Sequence, residues 1–196
     1  MAKIFCIMGK SSSGKDTIYR KLLKDKKLAL KKIITYTTRP MRDGEKEGVQ
    51  YFFRTKDEMD AFEKQSRLVE KRVYHTILGD WYYFTVDDGQ VEKDGNYVII
   101  TTLDQFAQIR KYWKKDCVLP IYIEVDDGER LKRALRREMS QEKPQYEEMC
   151  RRFLADNKDF SKENLEAAKV DRVFENRTLT ETVETISSYI LSLEKL

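Results

Sequence analysis

The sequence predicts an α/β fold in which a mostly parallel sheet is flanked by helices and interrupted by a small antiparallel lobe. Three observations predict this fold. The apolar run at residues 4–8 is typical of a buried strand, and it leads into a glycine-rich loop and then a helix. Strands and helices alternate along most of the chain, which favours parallel strands with ligands at their carboxyl ends. Short aromatic-rich strands between residues 68 and 84 break this alternation.

The loop after the first strand is the strongest chemical signal in the sequence. It reads Gly9-Lys10-Ser11-Ser12-Ser13-Gly14-Lys15 and is followed by Asp16 and Thr17. Glycines at these positions let backbone N–H groups approach phosphate oxygens closely. Lys15 adds a positive charge at the start of a helix, whose dipole also favours anions. We therefore predict that residues 9–17 bind the phosphates of a nucleotide such as ATP.

Asp16 departs from the usual phosphate-loop pattern, which has a Ser or Thr after the lysine to bind Mg²⁺. A carboxylate is also an oxygen ligand for Mg²⁺, although its charge would lie close to the phosphates. Thr17 lies about 100° further round the helix. The alternative is that Asp16 only favours the positive end of the helix dipole. We predict Asp16 as the metal ligand and leave this alternative open.

Composition favours one domain that binds small anions. The chain has 196 residues, of which 40% are hydrophobic and 37% charged, with a net charge of +4. This modest charge does not favour a nucleic-acid partner. No apolar stretch is long enough to span a membrane, and no signal-peptide pattern precedes the first strand, so we expect a cytoplasmic protein. The three cysteines have neither a metal-binding nor a redox spacing.

The remaining elements follow from periodicity and capping signals. In the first half we predict a helix over 17–24, a strand over 31–36, a loop over 37–44, a strand over 51–53 and a helix from a Thr55–Glu58 capping box to about 65. The lobe has predicted strands over 68–78 and 81–84, with a turn at Gly79-Asp80, and Thr85 is predicted to cap a short helix. In the second half we predict strands over 97–101, 118–125 and 172–175, and helices over 103–112, over 127–139, around Arg151 and Arg152, and from Thr178 to about 193.

The segment from Thr37 to Glu45 reads TTRPMRDGE and is followed by Gly48-x-x-Tyr51-Phe52-Phe53. With the phosphate loop, these residues resemble the guanylate kinase family over nearly the whole chain. The resemblance implies a P-loop kinase fold in a single domain. Its core would span 1–35, 96–126 and 168–196, its lobe, which binds the nucleoside monophosphate, about 36–90, and its helical lid about 127–160.

The resemblance also implies roles for individual residues. Those at the acceptor site would be Thr35, Arg39, Arg42, Tyr51 and Tyr82, with Glu70 accepting hydrogen bonds from guanine. Those that neutralise charge during transfer would be Lys15 and Arg39, together with the lid arginines Arg133, Arg137 and Arg152. Asn176 matches an asparagine near the adenine of ATP.

Each of these roles has a structural alternative. Arg39 and Arg42 could be ordinary charges on a surface loop, and the arginines of the helix over 127–139 could form a solvated face. Tyr51 and Tyr82 could be core aromatics of the lobe. Glu70 could simply face solvent.

Two further positions depart from the family pattern. Tyr83-Phe84 stands where Gly-Ser is usual, and the strand that normally ends in Asp-x-Asp ends in Thr101-Thr102-Leu103. These changes affect base recognition and metal binding, not phosphate binding. The leading hypothesis is Mg²⁺- and ATP-dependent phosphorylation of a nucleoside monophosphate, with GMP favoured. The alternatives are a guanylate-kinase-like module that binds a phosphorylated peptide, and a P-loop kinase with another acceptor.

Overall fold

The computed structural model describes residues 1–76 and 79–193. Its strands are β1 (Lys3–Met8), β2 (Leu30–Lys32), β3 (Tyr36–Thr37), β4 (Phe52–Phe53), β5 (Leu68–Thr76), β6 (Gly79–Val86), β7 (Asn96–Ile100), β8 (Val118–Glu124) and β9 (Val173–Glu175). Its α-helices are α1 (Lys15–Lys24), α2 (Lys56–Lys64), α3 (Leu103–Trp113), α4 (Asp127–Met139), α5 (Tyr146–Asp159), α6 (Lys162–Ala167) and α7 (Leu179–Leu193). Within the described ranges, no helix is both long and apolar enough to cross a lipid bilayer.

Five parallel strands form the central sheet in the order β2-β7-β1-β8-β9. The middle strand β1 is buried on both faces. Phe5 and Ile7 pack with residues of α1 and α7, whereas Cys6 and Met8 pack with residues of α3. This two-sided burial explains why β1 is an uninterrupted apolar run rather than an alternating one. The predicted parallel sheet is confirmed.

The site is expected where the parallel strands end. Gly9 follows β1, Thr101 follows β7, Asp126 closely follows β8 and Asn176 follows β9. Because parallel strands share one direction, these residues meet at the same edge of the sheet.

The lobe is built on a second sheet, ordered β4-β3-β6-β5. Its β3–β6 and β6–β5 pairs are antiparallel, as predicted, and a two-residue parallel pair joins β3 to β4. Tyr36, Met59, Phe84 and Val86 form its hydrophobic core, to which α2 contributes Met59. The predicted capping box of Thr55 is present at the start of α2.

The structure corrects three predicted elements. The single strand over 31–36 is two short strands, because the chain leaves the central sheet after Lys32 and enters the lobe sheet at Tyr36. Gly79-Asp80 begins β6 instead of forming a turn, and the end of the predicted strand over 68–78 lies outside the described residues. Thr85 caps no helix: it belongs to β6, and its hydroxyl donates to the Glu70 carboxylate.

Candidate functional site

Both glycines of the phosphate loop are required by close packing. A Cβ atom at Gly9 would lie 2.7 Å from Ser13 Oγ and 2.8 Å from the backbone oxygen of Ile123. Gly14 has φ of +87°, in the left-handed region, and a Cβ there would lie 2.7 Å from Asn176 Nδ2. No other residue type fits either position without displacing its neighbours.

The loop offers polar groups that its own chain does not satisfy. Among the described residues, the hydroxyl oxygens of Ser12 and Ser13 are buried without a hydrogen-bond partner. Buried polar atoms normally have partners, so these two hydroxyls are available to a bound ligand or to water. Lys15 is positioned beside this loop, with its ammonium 3.9 Å from the Asp16 carboxylate.

Asn176 is hydrogen-bonded to the phosphate loop and to two neighbouring elements. Its Nδ2 donates to the carbonyl oxygen of Ser13 at 2.8 Å, and its Oδ1 accepts from the Thr182 hydroxyl at 3.2 Å. Its backbone N–H donates to the carbonyl of Glu124 at 2.8 Å. Asn176 therefore connects β8, α7 and the phosphate loop. Its contact with adenine stays a prediction.

Asp16 fits a magnesium site completed by the ligand. Its side chain is 72% exposed and lies in the first turn of α1, next to Thr17. Mg²⁺ in nucleotide sites usually takes one or two protein oxygens, phosphate oxygens and water. Within the described ranges, no three His, Cys, Asp or Glu side chains form a metal-binding group. Asp16 and Thr17 could thus supply protein ligands to Mg²⁺ that arrives with ATP.

One cleft of about 700 Å³ joins the phosphate loop to the lobe. Residues on its phosphate-loop side are Gly9, Lys15 and Asp16. Residues on its lobe side include Thr35, Gln50, Tyr51 and Arg72. Two phosphate-bearing ligands could therefore meet in one cleft. A smaller cleft of about 410 Å³ is lined by Lys10, whose ammonium lies 3.4 Å from the Asp127 carboxylate.

The Arg39 guanidinium is already hydrogen-bonded to protein groups. Its guanidinium donates to both carboxylate oxygens of Glu45 at 2.7 and 2.6 Å, and its Nε donates to the Tyr83 hydroxyl at 3.1 Å. Arg39 is only 4% exposed and is not among the described residues that line the main cleft. The paired Arg39 lowers the pKa of Glu45 to about 2. Direct binding of the acceptor phosphate by Arg39 stays a prediction, and it requires Glu45 to be displaced.

Arg42 lies on the same loop and is exposed. Its backbone N–H donates to Glu45 at 2.8 Å, which draws the loop around that carboxylate.

In the structure Tyr83, and not Tyr82, contacts Arg39, and binding of the acceptor by Tyr82 stays a prediction. Successive side chains of a strand point to opposite faces. Tyr82 packs against the lobe core, with the Lys56 ammonium 5.1 Å from its ring centre. Tyr83 contacts Tyr51, with ring centres 5.5 Å apart, as well as Arg39. The alternation of β6 was the signal that could have separated the two tyrosines.

Glu70 is buried, so the alternative that it faces solvent is wrong. It is 2% exposed, and its carboxylate accepts from the Thr85 hydroxyl at 2.7 Å and from Gln105 Nε2 at 3.1 Å. Burial raises the pKa of Glu70. Gln105 also lines the main cleft. Phe84, expected at a base-reading position, points into the lobe core instead.

The predicted lid arginines each pair with a nearby glutamate. The three pairs are Arg133 with Glu129 at 3.2 Å, Arg137 with Glu138 at 3.7 Å and Arg152 with Glu148 at 2.7 Å. None of the three arginines is among the described residues lining either cleft. Their roles over ATP stay predictions and require these pairs to exchange on closure.

Sequence reasoning missed Arg130, which lies on the buried face of α4 with Ala134 and Glu138. It is 1% exposed, and its Nε donates to the carbonyl oxygen of Ser11 at 3.1 Å. The spacing of Arg130, Ala134 and Glu138 at every fourth residue was the available signal. A buried guanidinium therefore contacts the phosphate loop.

Asp156 of α5 was also missed. Its carboxylate accepts from the backbone N–H of Ser11 at 2.6 Å and lies 3.5 Å from the Arg130 guanidinium. The contact ties α5 directly to the phosphate loop.

A parallel sheet with a phosphate-binding loop after its first strand defines a P-loop nucleotide-binding protein. One solved structure of similar fold is a guanylate kinase from Anaplasma phagocytophilum, with a TM-score of 0.63 and 21% sequence identity. The alignment covers 97% of this chain and 85% of that chain, which shows a shared fold. The family model described as guanylate kinase matches residues 1–193. The chain belongs to the guanylate kinase family.

Proposed function

We propose that this protein transfers a phosphoryl group from ATP to a nucleoside monophosphate, with GMP the first candidate. The general class is supported by family membership. The observation that carries the proposal is the single cleft with Lys15 at one end and Thr35, Tyr51 and Arg72 at the other. Such a cleft can hold a donor and an acceptor phosphate side by side.

Phosphoryl transfer requires positioning and charge neutralisation more than covalent participation by the protein. Lys15 and the N–H groups of the phosphate loop would bind the outer phosphates of the donor. Mg²⁺, held by Asp16 with Thr17 as a second oxygen donor, would neutralise further negative charge. The lid arginines would add to this on closure once their glutamate partners are released.

Guanine is the favoured base because Glu70 is an acceptor-only group when ionised. A guanine ring N–H and amino group can both donate to one carboxylate, whereas adenine has no ring N–H at the equivalent edge. Thr85 and Gln105 fix the orientation of Glu70. Since Glu70 is covered in this structure, base recognition would need Gln105 to move.

The two alternatives predict different ligands. A binding module would take a phosphorylated peptide and would have no use for Gly14 and Lys15. A P-loop kinase with another acceptor would keep the donor loop and use the lobe differently.

The test is a coupled ADP-release assay with Mg²⁺-ATP and every ribo- and deoxyribonucleoside monophosphate. The Lys15→Ala variant, purified identically, measures contaminating activity. We expect GMP to give the highest kcat/KM, at least about tenfold above AMP, because an unpaired polar edge costs about 1–3 kcal/mol. Absence of ADP release with every monophosphate, combined with binding of a phosphoserine peptide, would support the module instead.

A further inference from the structure

We propose that Arg72, a residue of β5, supplies the guanidinium that binds the acceptor phosphate. The inference rests on the proposed function and assigns a residue for which the resemblance gave no role. It starts from a requirement of charge: a phosphate dianion in the lobe half of the cleft needs a cation whose hydrogen-bond donors are available.

The cations around the lobe half of the cleft are few. Among the described residues that line it, the cations besides Lys15 of the phosphate loop are Lys32 and Arg72. The Lys32 ammonium already donates to the carbonyl oxygen of Val49 at 2.8 Å. Arg39 is the phosphate ligand expected from the resemblance. Its two terminal nitrogens already donate to the Glu45 carboxylate, and its Nε donates to the Tyr83 hydroxyl.

Unlike Arg39, Arg72 has a hydrogen-bond donor that no described residue satisfies. Its Nε is buried, and among the described residues that atom has no hydrogen-bond partner. Its guanidinium carbon lies 4.5 Å from the centre of the Tyr74 ring, and this stacking fixes the plane of the group. A buried N–H without a partner is unfavourable unless a ligand accepts from it.

The surroundings of Arg72 are those of an oxyanion site. In the β5–β6 register Arg72 lies opposite Tyr83, whose ring contacts both Tyr51 and Tyr74. Tyr51 also lines the cleft. A planar guanidinium beside phenol hydroxyls can bind two phosphate oxygens at once, which a lysine ammonium cannot do with the same geometry. Arg39 then acts as a positioning residue that fixes Tyr83.

The direct test compares the affinities of GMP and guanosine by titration calorimetry, with AMP and adenosine as a second pair. In Arg72→Gln the advantage of the monophosphate over the nucleoside should fall about ten- to hundredfold, the size of one charged hydrogen-bonded contact. Guanosine affinity should stay the same. Arg72→Lys should recover only part of the advantage because the bidentate fork is lost.

The matched control is Lys71→Gln, the neighbouring residue of the same strand. Its side chain points to the other face of the sheet and pairs with Glu63 at 2.5 Å. This variant should bind GMP as the wild type does. If Arg72→Gln binds GMP within about twofold of the wild type while the wild type prefers GMP to guanosine, Arg72 is not the phosphate ligand. If the wild type prefers no monophosphate to its nucleoside, the proposed function itself fails.

A second measurement uses only the wild-type protein, so it does not depend on how the variants fold. Modification of arginines by phenylglyoxal is followed by mass spectrometry with no ligand, with guanosine and with GMP. GMP should slow modification of Arg72 severalfold, whereas guanosine should not. Equal rates at Arg72 under all three conditions would overturn the assignment.

Discussion

The phosphate loop and the arginine loop at residues 37–45 both contribute to the family resemblance, yet the structure leaves them in different states. In the phosphate loop, the buried Ser12 and Ser13 hydroxyls have no partner among the described residues. In the arginine loop, Glu45 already binds the Arg39 guanidinium through two hydrogen bonds. The phosphate loop has polar groups available for an anion, whereas Arg39 of the arginine loop is already paired with the Glu45 carboxylate.

A sequence motif shows which residues are present but not which of them can bind a ligand. A backbone cradle depends on glycines at set positions, which the sequence displays directly. A side-chain ligand also depends on which neighbours compete for it. Substitutions at Lys15, Asn176, Arg39 and Asp16 test this contrast.

Removing the mobile charge of the phosphate loop should have the largest effect. We expect Lys15→Ala to lower kcat about 10²–10³-fold or more, because loss of one group that stabilises transferring charge has this size. The midpoint of thermal unfolding should change little, since Lys15 takes no part in the core. The measurement is ADP release, with Lys21→Ala as a control on an exposed position of the same helix. Full activity in Lys15→Ala would show that the phosphate loop is not part of the active site.

The Asn176→Ala variant tests whether the shape of the phosphate loop depends on its hydrogen bond from Asn176. The change leaves the carbonyl of Ser13 without its donor, and a buried unsatisfied group costs about 1–3 kcal/mol of the free energy of unfolding. We also expect KM for ATP to rise, because the loop loses its fixed shape. Urea unfolding and ATP kinetics are measured beside Arg177→Ala, whose side chain is exposed. Equal losses in both variants would show that Asn176 has no special role.

Arg39→Lys addresses the other loop. It should lower the unfolding midpoint by about 2–4 °C, because the fork on Glu45 is replaced by a single donor. Since Arg39 lowers the pKa of Glu45 from 4.5 to about 2, the pair stabilises the fold fully above pH 4.5, and this stability is lost as the pH falls towards 2.

The acid dependence of the unfolding midpoint over that range should therefore be weaker in Arg39→Lys than in the wild type. The preference for GMP over guanosine should change less than in Arg72→Gln. A larger loss of preference in Arg39→Lys would instead make Arg39 the phosphate ligand, with Glu45 displaced on binding.

The smallest effects are expected at Asp16. If its carboxylate binds Mg²⁺, Asp16→Ser should keep a similar or higher activity, and Asp16→Ala should need severalfold more Mg²⁺. Either change should alter the free energy of unfolding by less than about 1 kcal/mol, the size of an interaction with a helix dipole. Activity is measured against Mg²⁺ concentration at saturating nucleotides. Identical curves for all three proteins would exclude Asp16 as a ligand.

Most of the fold could be predicted because its signals are local. The apolar run of β1, the glycines of the phosphate loop and the capping box at Thr55 each involve residues within a few positions of one another. Where the predictions were wrong, the chain passed between sheets, as at residues 33–35, or a polar residue found a partner far along the chain. Thr85 lies in β6 instead of capping a helix, and its hydroxyl donates to Glu70, 15 positions away.

Residue order alone was enough to predict the strand–loop–helix unit, the parallel sheet and the family resemblance. The availability of side chains to a ligand depends on the folded structure. Arg39 meets Tyr83 across 44 positions, Arg130 meets Ser11 across 119 and Asn176 meets Ser13 across 163. Local backbone geometry follows from residue types at fixed spacing, whereas the availability of a buried guanidinium or carboxylate depends on partners that only folding brings within hydrogen-bond distance.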